Sequence, residues 1–222
     1  MRFLDFRFHK NLEVVAMKIL HVVCSPRGEA SESYRLSRKI VARLMGREPA
    51  ASVMERVIGG NALPHIDANY ALGQHSATAQ IAQNGSMAQS DELIQELEDS
   101  DAVVIGTPMH NLGVPSALKA WIDHVVRARR TFDTGPGGKV GLLRDRPVFI
   151  AVASGGSFSG EYARQPDFLT PYLTVILAQI GLKDLHFFSV QGTGLGPEIL
   201  EKSRLRADDA LQAYFPLRTQ SI

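Results

Sequence analysis

The chain has 222 residues, a formal net charge of +1 and 45% hydrophobic residues, with acids and bases mixed along its length. These values suit one packed α/β domain, argue against a disordered chain, and give no support for nucleic acid or an anionic membrane surface as a partner. The single cysteine, Cys24, excludes an internal disulfide and a multi-thiol metal site, and no run approaches the roughly 20 apolar residues needed to cross a bilayer.

Residues 1–16 stand apart. They mix Phe3, Phe6 and Phe8 with Asp5, Arg7, His9 and Lys10 and lack the apolar middle and cleavage site of a secretory signal. They read as an extension ahead of Met17, either an upstream start or a mobile arm, with an edge strand or dimer arm as the minor alternative. Residues 17–222 then form a single domain, with the cytoplasm as the default location.

A nearly continuous apolar run predicts a first strand over 18–24, as for a strand covered on both faces. His21 within it reads as a packed core histidine and Cys24 as a small buried hydrophobe. The loop Ser25-Pro26-Arg27-Gly28-Glu29-Ala30-Ser31-Glu32-Ser33 follows. Helical spacing at Leu36, Ile40, Val41 and Leu44 comes next, with Gly46 as the stop. Ser31 or Ser33 can cap that helix. Hydroxyls at a helix amino end make a ready anion site, and a plain capped loop accounts for the same residues. A cysteine-phosphatase loop is excluded because Ala30 stands where its arginine is required. A nucleotide P-loop is excluded because no Gly-Lys-Ser/Thr ending is present. A hydrolase built on Ser25 or Cys24 has no base at recognisable spacing.

A weaker, edge-like strand is predicted over 51–58, followed by a long excursion with a short helix. His65 and Asp67 in that excursion lack partners at metal-ligand spacing, so no metal site is assigned. Ser90-Asp91-Glu92 is read as the start of a helix carried by Leu93, Ile94 and Leu97. The apolar run 102–106 predicts a buried parallel strand. It leads into Thr107-Pro108-Met109-His110-Asn111-Leu112-Gly113-Val114-Pro115-Ser116, a turn stiffened by two prolines and a glycine. A helix begun by Pro115 follows, with Leu118, Trp121, Ile122, Val125 and Val126 inward. Lys119 and Arg127 to Arg130 form a basic run that reads as a solvated face suiting the helix dipole, with attraction of a phosphorylated dinucleotide as the alternative. Residues 131–143 read as a glycine-rich surface loop.

A fourth strand over 147–153 ends in Ser154-Gly155-Gly156-Ser157-Phe158, whose glycines let backbone approach a ligand. A helix opened by Thr170-Pro171 and stopped by Gly181, a strand over 185–190 and a last helix from Pro197 complete the chain. In the last helix Ile199, Leu200, Ala207, Leu211 and Tyr214 are expected inward. Gly192, Gly194 and Gly196 do not match the dinucleotide fingerprint, because Pro197 stands where its last glycine should be; they read as a flexible connection.

Five strands alternating with helices predict an α/β fold: a doubly wound, five-stranded parallel sheet of flavodoxin-like order 2-1-3-4-5, with helices on both faces. In that order the turns after the first, third and fourth strands are neighbours at the switch point, where such sheets bind ligands. Their convergence favours the phosphate reading of the first loop.

The runs Ser25-Pro26-Arg27 with Ser31-Glu32-Ser33, Pro108-Met109-His110-Asn111 and Val114-Pro115-Ser116-Ala117-Leu118-Lys119 resemble the FMN-dependent NADH-azoreductases, also described as NADH:quinone oxidoreductases. Thr131-Phe132 and Gly141-Leu142-Leu143 extend the likeness, which covers residues 17 to 215. The resemblance implies a homodimer with FMN sites at the subunit interface, with NADH or NADPH as donor and a quinone or azo compound as acceptor. It places Ser25, Ser31, Glu32 and Ser33 at the FMN phosphate, Met109, His110, Asn111 and Leu112 along the ring, and Ala153, Ser154, Gly155 and Gly156 at its other edge. The flavin would carry the chemistry by ping-pong hydride transfer, with amides at 109–112 and 155–156 steadying charge on the reduced ring. His110 is a candidate proton donor, ring contact alone being its simpler role. Four departures bear on acceptor preference. His110 replaces a common tyrosine, Ala153 a serine or threonine, Ser154 an arginine, and Thr134 an aromatic residue. The alternative reading is a non-enzymatic, flavodoxin-type electron carrier or redox-responsive FMN-binding protein.

Overall fold

A computed structural model describes residues 16–60, 63–75, 85–161 and 163–216. The extension read over 1–16 lies outside these apart from Ala16. Five strands, β1 (Lys18–Val23), β2 (Ser52–Val57), β3 (Ala102–Pro108), β6 (Val148–Ala153) and β7 (Leu185–Val190), form one parallel sheet. Its order is β2-β1-β3-β6-β7, which is the predicted 2-1-3-4-5 in parallel strands. The register pairs Val23 with Gly106 and Pro108 with Ala153, so the carboxyl ends of β1, β3 and β6 finish side by side.

Alternation along the strands divides the apolar residues into two clusters, one on each face. Leu20, Val22, Val103, Ile105, Val148, Ile150 and Val152 meet α3 (Ser86–Asp99), α4 (Ser116–Val125) and α5 (Thr170–Gln179). Ile19, Ala102, Val104, Phe149 and Ala151 meet α1 (Glu32–Arg47) and α6 (Pro197–Tyr214). Trp121 of α4 is fully buried in the first cluster, as its spacing predicts. Burial of side chains such as Leu36 and Ile40 of α1 contributes about 1.5–3 kcal/mol each. β2 lies at the sheet edge, with only Val53 and Arg56 half-buried and its other residues exposed.

Several local expectations change. Gly46 lies inside α1, which runs on to Arg47. α3 begins at Ser86, not at Ser90; Ser90 is buried within it and donates its hydroxyl to the His124 carbonyl at 2.6 Å. The short helix of the excursion is α2 (Ala68–His75), and Asp67 accepts hydrogen bonds from the amides of Tyr70 and Ser86. The glycine-rich loop is an antiparallel hairpin of β4 (Phe132–Gly135) and β5 (Gly138–Gly141). Arg127 is buried, bonded to Ser90 Oγ and paired with Asp91, while Arg130 pairs with the same carboxylate. Charges on α3 therefore claim part of the basic run that looked like a solvated face. In α6 the inward stripe is Ser203, Ala207 and Leu211. Ile199 is exposed, whereas Tyr214, though partly open to solvent, lays its ring against Phe149, Phe188 and Phe215.

His21 is a hydrogen-bonded core residue, as expected. Its Nδ1 lies 3.0 Å from Glu55 Oε2 and its Nε2 lies 2.8 Å from Ser37 Oγ. A ring that donates from Nδ1 suits the Glu55 carboxylate, which only accepts, while Ser37 Oγ also donates to the Tyr34 carbonyl at 3.0 Å. Burial pushes the imidazole below its ordinary 6.5, against the opposing pull of Glu55. The folded state therefore holds this proton less tightly than the unfolded chain. The stability it contributes is complete above pH 6.5 and is lost as pH falls below that value. Thermal melting between pH 7.5 and pH 5 is expected to show a falling midpoint, and the Glu55→Gln variant, which removes the carboxylate that favours the protonated ring, a steeper fall.

Candidate functional site

The first exit from the sheet is a tight loop entering α1. Ser25, Ser31 and Ser33 are all buried in it. Ser25 accepts from the Arg27 amide through Oγ at 3.2 Å and from the Gly28 amide through its carbonyl at 3.1 Å. Ser31 is the N-cap: its Oγ accepts from the Tyr34 amide at 3.2 Å and donates to the Gly28 carbonyl at 2.8 Å. Ser33 Oγ lies 3.3 Å from Ser31 Oγ. The cap and the first helical bond use the amides of Tyr34 and Arg35, so the amides of Glu32 and Ser33 remain as the helix's outward donors. α1 comes this close to β3 because residue 106 is glycine; a Cβ there would lie 2.6 Å from Ser37 Oγ and 3.1 Å from the Ser33 carbonyl.

A carboxylate in this loop would oppose an anion. Glu32 resolves the conflict by turning toward Arg35, at 2.9 Å, and Arg204 of α6. These guanidinium groups hold its carboxyl below the usual range, the Arg204 bond being the largest cause. Of Glu32, the backbone N–H is the part suited to a phosphate.

The second exit is a two-residue turn. His110 and Gly113 exchange both backbone hydrogen bonds at 3.0 Å, and between them Asn111 and Leu112 have φ of 49° and 69°. Two positive φ values inside a reciprocal pair mark a type I′ connection. Asparagine tolerates this region, whereas leucine costs about 1–2 kcal/mol there. The left-handed positions are thus Asn111 and Leu112, with the strain on Leu112, and not Gly113. Met109 donates its amide to the Ala153 carbonyl at 2.8 Å, and Phe168 donates to the Leu112 carbonyl at 3.0 Å. The amides of Met109 and His110 are thus spent within the fold, against the expectation that all of 109–112 would face a ligand. Those of Asn111 and Leu112 lie outside the reciprocal pair. His110 and Asn111 are exposed.

The third exit, after β6, is held from behind. The carbonyls of Ser154, Gly155 and Gly156 accept from the amides of Thr193, Gly194 and Gly192. The segment read as a flexible connection is therefore a bonded backing for this turn. A Cβ on Gly155 would meet nothing within 4 Å, so this position is open, while one on Gly156 would collide with the Gln165 side chain. Ala153 and Ser154 are buried. Ser154 Oγ reaches Met109 Sδ at 3.8 Å, joining the second and third exits.

The predicted residues thus fall at three adjacent strand ends. Gln165 and Phe168, which bind these turns, carry no periodicity or motif that would have singled them out. Cys24 is fully buried, and burial pushes its thiol far above the ordinary range, so it is no nucleophile.

The family model described as the flavodoxin-like fold matches residues 17–215. An FMN-dependent NADH:quinone oxidoreductase of Pseudomonas fluorescens is 46% identical over 194 residues, covering 87% of this chain and 93% of the relative. The chain belongs to that oxidoreductase family. A second member, from Burkholderia lata, is 48% identical over 175 residues, covering 78% of this chain and 84% of its own. An FMN-dependent NADH-azoreductase of Bacillus anthracis, solved in complex with FMN, shares the fold with a TM-score of 0.74 at 22% identity, covering 89% of this chain and 99% of that one.

The donor set of this family member suits FMN: hydroxyls and outward amides at a helix N-terminus for a phosphate, and turn backbone for a flat polar ring. The strained turn offers a direct check. Leu112→Gly is expected to raise the stability of the apoprotein by about 1 kcal/mol, read by urea denaturation. The same change is expected to weaken FMN binding, because a glycine turn is less preorganised.

Proposed function

We propose that this chain is an FMN-dependent NAD(P)H oxidoreductase that reduces quinones and azo compounds. The observation that carries the reading is the convergence of three strand exits in a chain 46% and 48% identical to FMN-dependent NADH:quinone oxidoreductases. When bound, FMN supplies two-electron chemistry, taking a hydride from a reduced nicotinamide and passing electrons to the acceptor. The chain supplies placement and electrostatics. Ser25, Ser33 and the Glu32 and Ser33 amides hold the phosphate, and Ser31, whose hydroxyl is engaged by Gly28 and Tyr34, shapes the loop as its cap. Met109, His110, Asn111 and Leu112 line the ring on one side, with Ala153, Ser154, Gly155 and Gly156 at its other edge. The amides of Asn111, Leu112, Gly155 and Gly156 steady negative charge on the reduced ring. His110, exposed beside the turn, contacts the ring or the acceptor and is the one side chain here suited to deliver a proton.

We further read residues 17–222 as a single FMN-binding domain that works in the cytoplasm as a homodimer, with its FMN sites at the subunit interface. Val140 and Leu142 of the hairpin and Phe168 beside the strained turn are 54%, 50% and 61% exposed, which supports an apolar contact there. Among the described residues no helix is long and apolar enough to cross a membrane.

The purified protein is expected to be yellow and to oxidise NADH or NADPH when a quinone or an azo dye is present. One slot serving donor and acceptor in turn gives parallel double-reciprocal lines; intersecting lines would count against ping-pong turnover. FMN-loaded protein without nicotinamide oxidation would favour an electron carrier. Protein that stays colourless and takes up no added FMN would overturn the assignment. Ser31→Ala tests the phosphate loop: loss of the cap is expected to destabilise the protein by about 1 kcal/mol. It should also weaken FMN binding more than riboflavin binding, because only FMN carries the phosphate.

A further inference from the structure

Between β6 and α5 the chain crosses back over both ring-facing turns, and Gln165 lies at the crossing. Its Nε2 donates to Met109 Sδ at 3.2 Å and to Ser154 Oγ at 3.1 Å. Ser154 Oγ in turn donates to Met109 Sδ at 3.8 Å. A thioether only accepts, so the side-chain amide must present its nitrogen to the sulfur, one N–H for each partner. The amide oxygen then lies against Gly156, in the space a Cβ would need. The backbone of this segment is fixed at both ends. Arg164 and Gln165 donate to the Ser157 carbonyl, and Phe168 donates to the Leu112 carbonyl. Gln165 is half-buried and Met109 is 8% exposed, so these bonds are partly shielded from competing water.

We propose that Gln165 is a positioning residue for the flavin. It acts through Met109, Ser154 and Gly156 to set the separation between the turn at 109–113 and the turn at 154–156. This rests on the functional reading above and extends it to a residue outside the three exits. The two turns come from different strands, and the backbone bond that joins them among the described residues, from Met109 to Ala153, lies at the carboxyl end of the sheet, where both turns begin. Beyond it, the side-chain triangle is what keeps the outer amides in a fixed relation. Without it the turns can spread, and donors aimed at a reduced, negatively charged ring lose their preorganisation. The oxidised ring depends less on them, so the loss falls more heavily on the reduced form.

The test compares wild type with Gln165→Met, which retains length and apolar bulk but removes both donors. FMN affinity is measured by quenching of free FMN fluorescence on titration with apoprotein, and the midpoint potential of the bound flavin by dye-equilibrated reduction. The variant is expected to bind FMN about tenfold more weakly, in keeping with the loss of one to two hydrogen bonds. Its midpoint potential is expected to shift to more negative values, with an altered visible flavin band. A purely structural role would lower the melting temperature and leave the potential and the band in place, which would overturn the proposal. Affinity and potential equal to wild type would overturn it as well. Should Gln165→Met fail to fold, Gln165→Glu, ionised and without the donors, is measured in the same way and read by the same outcomes. Wild type that binds no FMN would overturn the functional reading and this proposal together. Wild type that binds FMN beside an unchanged variant would overturn this proposal alone.

Discussion

The parallel register of three strands is the constraint on which the site depends. Val23 opposite Gly106 and Pro108 opposite Ala153 bring three chain exits to one edge of the sheet. Parallel strands demand crossover helices, and those helices start where the strands end. A helix N-terminus, a strained turn and a glycine-bearing turn are therefore neighbours by topology, although nearly 130 positions separate Ser25 from Ser154. The absent Cβ at Gly106 then lets α1 settle close to β3, bringing the hydroxyl loop down onto the sheet.

Once the exits are adjacent, what remains is to hold them still. The fold does this with bonds that lie behind the site. The β7 loop takes up the carbonyls of the third exit, Phe168 takes up the carbonyl of Leu112, and Gln165 spans the side chains between. Carbonyls are thereby consumed on the far side. Two left-handed residues held in place by these attachments are a store of local strain of the kind that collects at binding sites.

Electrostatics follow the same division. A near-neutral chain has no large field to steer an anion, so the phosphate loop must rely on local dipoles and hydroxyls. The acid in that loop is withdrawn by Arg204, which belongs to a helix more than 170 positions away. His21 below α1 stays neutral through burial, so no charge from the core competes with the loop above it.

Much of this architecture could be read from residue patterns. Continuous apolar runs marked the central strands because strands covered on both faces have no polar side. The serine loop, the Pro108–Ser116 run and the Ser154–Ser157 turn identified the three exits because capping and tight turns use few residue types. What escaped were features set by partners distant in the chain. The start of α3 at Ser86, the burial of Arg127 against α3 and the bonded state of the 192–194 loop all depend on what packs alongside. Within residues 131–143, Phe132–Gly135 and Gly138–Gly141 pair as a hairpin although glycines blur their alternation. Gln165 illustrates the limit most clearly. A lone glutamine in an irregular segment has no period and no motif, and its meaning arises only when β3 and β6 lie side by side. Local chemistry determines which elements form and which turns can bind; the fold decides which donors remain free, because a hydrogen bond to a distant partner leaves no mark on neighbouring residues.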